Sequence, residues 1–175
     1  MSARRRAVPA AAAAGAASRL ADILFAQPAF ASAQSVALYA ALPDELPTAD
    51  LARKIADRGL PISWPRISSD GGLEFAVAAV SELTPGRHGV PTPPASSPAQ
   101  PLCEGVLWLL PGLAFDRRGA RLGRGSGSYD RALAGARGAY PVGMAYAFQL
   151  VSRVPVEPHD LPVRALLSEA GWEEC

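Results

Sequence analysis

The sequence predicts an α/β domain built on a mostly parallel sheet. Three observations carry that prediction. Short apolar runs alternate with amphipathic stretches in strand, helix, strand order, the pattern that places helices on the faces of a parallel sheet. One run, Gly105 to Phe115, is apolar enough to be the central strand. That run feeds a glycine-rich loop that opens into a helix. At 175 residues the chain has the length of one domain and can bury a core without metal or disulfide staples.

The elements follow in order. The first helix begins near Pro9, because proline is tolerated in a first turn. Its apolar face, with Leu20, Ile23 and Leu24, runs to about Gln27, and Pro28 stops it. Arginines followed by alanines imitate a secretory signal here, but alanine is weakly hydrophobic and Pro9 interrupts the join, so the helix reading is preferred. Ser35 to Leu42 reads as a buried strand. Thr48 is placed to cap a helix that turns Leu51 and Ile55 inward and stops at Gly59. Leu60 to Ile67 and Leu73 to Val80 read as strands, carrying Trp64 into the core. Pro91 to Pro101 is Pro/Ser-rich and reads as a surface loop. Trp108 lies in the central strand and reads as core. Asp116 is placed to cap the turn between Phe115 and Gly119. Tyr129 opens a helix that Gly138 ends. Pro141 to Phe148 is a further strand, on which Tyr146 or Phe148 is a candidate to line a ligand pocket. A short last strand falls near Ala165 to Leu167. There is no internal repeat.

Bulk properties exclude several classes. A net charge of +1 argues against an electrostatic nucleic-acid binder. No apolar run is long enough to cross a bilayer. Two cysteines, Cys103 and Cys175, are too few for a disulfide framework. They are expected to be one buried and one exposed thiol in a reducing compartment, which points to the cytoplasm. His88 and His159 have no ligand-like neighbours in sequence and read as non-catalytic.

The chemistry concentrates between Pro111 and Arg131. The chain leaves a strand at Leu110, passes Gly123, Gly125 and Gly127, and enters a helix near Tyr129. Glycines at alternate positions let the backbone turn tightly and present N–H groups to an anion. The helix N-terminus beyond them adds partial positive charge. Arg121 and Arg124 interleave the glycines and can make forked contacts to phosphate. Asp130 sits where a carboxylate beside bound phosphates commonly holds Mg²⁺. The pattern is neither a Walker A loop nor a Rossmann fingerprint.

The segment PGLAFDRRGARLGRGSGSYDR resembles the signature of the 5-formyltetrahydrofolate cyclo-ligase family. The resemblance extends to VALYAALPDELPT, LPISWPRI, GRHGVPTP and the C-terminal region with Gln149, Pro155 and Asp160, so it covers about Ser18 to Trp172. It implies a three-layer α/β/α fold, one domain over residues 1–175 and a monomer. It implies ATP-driven conversion of 5-formyltetrahydrofolate to 5,10-methenyltetrahydrofolate, with ADP and phosphate released and Mg²⁺ required. ATP contacts would come from Arg121, Leu122, Gly123, Arg124, Gly125, Ser126, Gly127, Ser128 and Tyr129. Glu45, Arg124, Ser128 and Tyr129 would face the reduced formyl folate. Arg121 and Arg124 would carry the catalytic charge, and Asp130 would hold the metal. No nucleic acid or membrane partner is implied.

Four positions depart from the family pattern. Members begin with Lys-x-x-Leu-Arg, whereas the first lysine here is Lys54. Either those residues precede Met1, or that grip on the ATP phosphates is lost and Arg6, in the run Arg4 to Arg6, substitutes for the lysine only in part. Thr92 stands for a glutamate, Ser128 for a tyrosine and Arg164 for an acidic metal ligand. The alternative expectation is therefore a non-catalytic relative that binds a nucleotide or folate.

Overall fold

The computed structural model describes residues 1–69, 71–86, 89–157 and 160–175. His88 and His159 lie outside the described residues. The first half of the chain forms α1 (Ser2–Arg6), α2 (Ala10–Phe25), α3 (Pro28–Ala31), β1 (Ser35–Ala37), α4 (Ala49–Ala56), β2 (Ile62–Ile67) and β3 (Leu73–Val77). The second half forms β4 (Thr84–Pro85), β5 (Pro91–Thr92), β6 (Val106–Leu110), β7 (Ala114–Phe115), β8 (Arg121–Leu122), α5 (Ser128–Gly135), β9 (Tyr140–Met144), β10 (Ala165–Ser168) and β11 (Gly171–Glu174).

Seven strands make one sheet in the order β11-β10-β9-β6-β1-β2-β3. The five inner strands are parallel, as the strand–helix–strand order predicts. The two edges are antiparallel: β3 turns back on β2, and β11 turns back on β10. Their short connections explain this, since a parallel crossover needs a dozen or more residues.

Alternation across β6 shows why its residues are all apolar. Leu107 and Leu109 face a cluster with Leu20 and Leu24 of α2 and Leu51 and Ile55 of α4. Val106, Trp108 and Leu110 face the opposite cluster, with Leu133 of α5 and Phe115 of β7. Successive strand residues point to opposite faces, so a strand with both faces covered is hydrophobic at every position. Gly143 on β9 makes room for this packing: a Cβ there would sit 2.6 Å from Phe115 Cδ1 and 3.1 Å from Leu166 Cδ2. Gly143→Ala is expected to destabilise the fold by about 1–3 kcal/mol through overpacking, read as a lower urea midpoint with an unchanged slope.

Several sequence expectations need correction. A short helix, α1, precedes Pro9, which instead occupies the N-cap of α2. The first strand is only Ser35–Ala37. The run from Gly105 to Phe115 is not one strand. It breaks after Leu110, and Ala114–Phe115 pairs with Arg121–Leu122 in a separate hairpin. Thr48 stands at the N-cap of α4 but does not cap it. Its hydroxyl donates to the Tyr39 carbonyl at 2.9 Å and accepts from the Ala41 N–H at 3.3 Å, so it is spent on the loop after β1. α5 ends at Gly135, short of Gly138. β9 ends at Met144, so Tyr146 and Phe148 lie beyond the strand and stack on each other at 5.3 Å. Both cysteines are exposed, where one was expected buried.

Candidate active site

The order of the sheet locates a crevice. From β1 the chain moves to β2 on one side, and later to β6, β9 and β10 on the other. Ligands of open α/β sheets bind at the carboxyl ends of strands where the order reverses in this way. Here that point lies between β1 and β6. A cavity opens there, bounded by Tyr39 and Ala40 after β1, Pro111 and Gly112 after β6, and the glycine loop.

The loop after β1 is folded on itself. Tyr39 OH donates to the Leu46 carbonyl at 3.3 Å, and the Leu42 N–H donates to Glu45 Oε2 at 3.0 Å. The turn after β6 is held at its carbonyls, since Gln149 Nε2 donates to Gly112 O at 2.9 Å and Leu113 O at 3.1 Å. Between β7 and β8 the buried Asp116 carboxylate accepts from the backbone of Arg118, Ala120 and Val154. The turn cap expected at Asp116 is present, and it also ties down the chain before Pro155. Gly125 and Gly127 have φ of 93° and 64°, left-handed values that favour glycine and swing the loop into the N-terminus of α5.

The two loop arginines differ. Arg121 is buried, pairs with Asp130 at 2.6 Å, and lies over the Tyr129 ring. Among the described residues its Nε has no hydrogen-bond partner. Arg124 is half exposed and reaches across to Asp44 at 2.9 Å and Glu45 at 3.2 Å. Partial burial opposes the Arg124 charge, but hydrogen bonds and the charges of Asp44 and Glu45 outweigh it and raise its pKa above the ordinary value. At Asp44 partial burial is likewise outweighed, by Arg5 and Arg124, and the carboxyl is held below its usual range. Burial, with the nearby Glu45 charge adding to it, pushes the Tyr129 phenol far above its ordinary value, so it stays protonated at neutral pH. Tyr129 also stacks on Trp108 at 6.1 Å.

The structure brings Glu45, Arg121, Gly123, Arg124, Ser126, Gly127, Ser128, Tyr129 and Asp130 around this one cavity. Leu122 and Gly125 line an adjoining depression on the other side of the loop, towards Pro155 and Asp160. Arg6 lines neither. It is exposed, beside a separate groove with Pro47 and Tyr146. Its neighbour Arg5 turns inward instead, donating to Gly112 O at 3.2 Å and Asp44 at 2.5 Å. Helical spacing implies that only part of the Arg4–Arg6 run faces the protein, but it does not say which residue. Asp44, the link between Arg5 and Arg124, carried no sequence signal beyond its place beside Glu45. Thr92 donates to the Pro65 carbonyl at 3.4 Å. Arg164 lies one residue before β10, at the amino ends of the parallel strands, over the Tyr140 ring. It is therefore at the edge of the sheet opposite the cavity.

For a metal, the described residues contain no group of three or more His, Cys, Asp or Glu side chains that could hold an ion. Asp130 offers one hard carboxylate, already shared with Arg121. Magnesium is often held by one or two carboxylates together with substrate phosphates, so this donor fits an ion carried in on a nucleotide rather than a protein cage.

The fold and this loop define an α/β protein that holds a small ligand in the crevice at the carboxyl edge of its sheet. The sequence pattern of the 5-formyltetrahydrofolate cyclo-ligase family matches residues 1–169, and the chain belongs to that family. It is 33% identical over 153 residues to the 5-formyltetrahydrofolate cyclo-ligase of Escherichia coli, covering 83% of this chain and 84% of that one. To the 5-formyltetrahydrofolate cyclo-ligase of Mycolicibacterium smegmatis it is 30% identical over 144 residues, covering 78% and 74%. The solved structure of Aquifex aeolicus 5,10-methenyltetrahydrofolate synthetase superposes with a TM-score of 0.78 at 26% identity, covering 99% of this chain and 84% of that one. A Mycoplasma pneumoniae 5,10-methenyltetrahydrofolate synthetase shares the fold, with a TM-score of 0.72 at 19% identity and coverage of 95% and 93%.

Proposed function

We propose that this chain catalyses the ATP-dependent closure of 5-formyltetrahydrofolate to 5,10-methenyltetrahydrofolate, with release of ADP and phosphate. The observation that carries the reading is the convergence of Arg121, Arg124, Tyr129, Asp130 and Glu45 on one cavity at the switch point of the sheet. In the reaction the formyl oxygen takes the γ-phosphoryl group and ADP departs. N10 then closes on the formyl carbon and gives up its proton to solvent, and phosphate leaves with that oxygen. Such a sequence asks the protein for position and for positive charge where phosphate oxygens gather. The glycine loop would offer backbone N–H groups, and Arg124 a mobile guanidinium. Arg121, with a buried donor unpaired among the described residues, would lend a fixed charge. Protonated Tyr129 would donate a hydrogen bond, and Glu45 would accept one from the folate. Magnesium, held by Asp130 and the nucleotide, would neutralise phosphate charge.

The test is spectroscopic. Purified protein with 5-formyltetrahydrofolate and Mg-ATP is expected to gain methenyl absorbance at the edge of the ultraviolet. No gain, while a working relative turns over in parallel, rejects the reading. Asp130→Asn is expected to raise the Mg²⁺ concentration needed for half-maximal rate roughly tenfold or more, measured from initial rates across a magnesium series. Thr92 and Ser128, which stand where the family pattern has a glutamate and a tyrosine, favour the second reading, a binding-only relative. Calorimetric ATP binding without turnover would establish that one.

A further inference from the structure

Arg5 is almost fully buried and sits on a five-residue helix, yet its guanidinium is committed to Gly112 in the cavity wall and to Asp44 in the groove beside it. One bond, to Gly112 O, fixes the turn where the chain leaves β6. The other, to Asp44 Oδ2, leaves that carboxylate's Oδ1 to accept from Arg124 at 2.9 Å. Arg124 stands on a glycine loop with its side chain 47% exposed, so packing alone does not hold it. Among the described residues its hydrogen bonds all leave from Nη2, which Asp44 and Glu45 share. Its other donors remain for an incoming anion. Fixing a long side chain before a ligand arrives removes the ordering cost from the binding step.

We infer that Arg5 is a positioning residue, which through Asp44 holds Arg124 ready for an anionic ligand at the cavity. This rests on the reading of the cavity proposed above, with a nucleotide phosphate as the anion. A purely structural role, anchoring α1, is the competing account, and the two differ in what Asp44 does. If Arg5 acts by relay, loss of Asp44 reproduces loss of Arg5, and removing both adds nothing further.

The experiment uses the full chain and ATP as the probe, with calorimetry and steady-state rates on the wild type, Arg5→Met, Arg5→Lys, Asp44→Asn and the Arg5→Met/Asp44→Asn double variant. Each single neutralising change is expected to weaken ATP binding about tenfold and to raise KM for ATP more than it lowers kcat. The double variant is expected to match the weaker single. Arg5→Lys, which keeps the charge without the fork, recovers part of the loss. Single effects that multiply in the double variant overturn the relay. So does unchanged ATP affinity in Asp44→Asn, whose amide oxygen can still accept from the buried Arg5 guanidinium. If the wild type binds no ATP, the cavity reading fails, and side-chain NMR of the Arg124 guanidinium then decides the relay alone. Loss of order in Asp44→Asn and Arg5→Met upholds it, and an unchanged signal overturns it.

Discussion

Arg124→Ala is expected to lower kcat/KM for ring closure about 100- to 1000-fold, the usual cost of removing one preorganised donor at a developing charge. The same change is expected to leave folding stability within about 0.5 kcal/mol, because half-exposed ion pairs contribute little. The two readouts separate chemistry from architecture at one residue. Arg124→Lys should recover only a fraction of the rate, since an ammonium cannot hold Asp44 and Glu45 while presenting a flat fork to phosphate. Rates with both substrates varied, set beside a urea titration of the same preparations, check the prediction. Wild-type kcat/KM in the alanine variant would remove Arg124 from the mechanism.

The largest stability effect is expected at Asp116. Its carboxylate is 1% exposed and accepts three backbone N–H groups and the Arg118 guanidinium. Asp116→Ala leaves those donors unpaired inside the protein and should cost about 3–5 kcal/mol. At this chain length that corresponds to a fall in Tm of roughly 10 °C, measurable by calorimetry. Asp116→Asn, which keeps one acceptor oxygen, should fall between the alanine variant and the wild type. The same residue sets an acid limit. Burial opposes ionisation, but the hydrogen bonds from Arg118, Val154 and Ala120 outweigh it and lower the pKa from 3.8 to about 2. The folded pKa lies below the unfolded one, so the stabilisation is complete above about pH 5 and is lost as pH falls through 4 towards 2. Its size is about 2–3 kcal/mol. Denaturation midpoints measured from pH 6 down to pH 2 should fall more steeply in the wild type than in Asp116→Asn.

Much of this molecule is legible in its sequence. Unbroken apolar runs announced strands covered on both faces, and Val106–Leu110 bears this out residue by residue. The glycines and arginines of the loop could be read because their chemistry is local: the turn, the donors and the helix entry lie within one short segment. What escaped was long-range. Nothing in the spacing tells that Arg5 faces inward while Arg6 faces solvent, since that depends on how α1 meets a loop more than a hundred residues away. The position of Thr48 fits a helix cap, but the loop after β1 competes for the same hydroxyl and wins it. The mostly parallel sheet is legible, but which strands run antiparallel is not, because a strand pattern carries no direction. Connection length does, and Ser68 to Gly72 is too short to hold a crossover.

The stacking of Tyr129 on Trp108 carries a practical consequence. One aromatic ring forms part of the cavity wall, and the other is a buried indole directly behind it, edge-on to Phe75. Any occupant that shifts the phenol by a fraction of an ångström alters the indole's surroundings, while Trp64 on β2 stays bonded to the Ala78 carbonyl just past β3. The protein thus contains an optical gauge of occupancy, readable as ultraviolet emission without a label and reporting from behind the wall that the ligand touches.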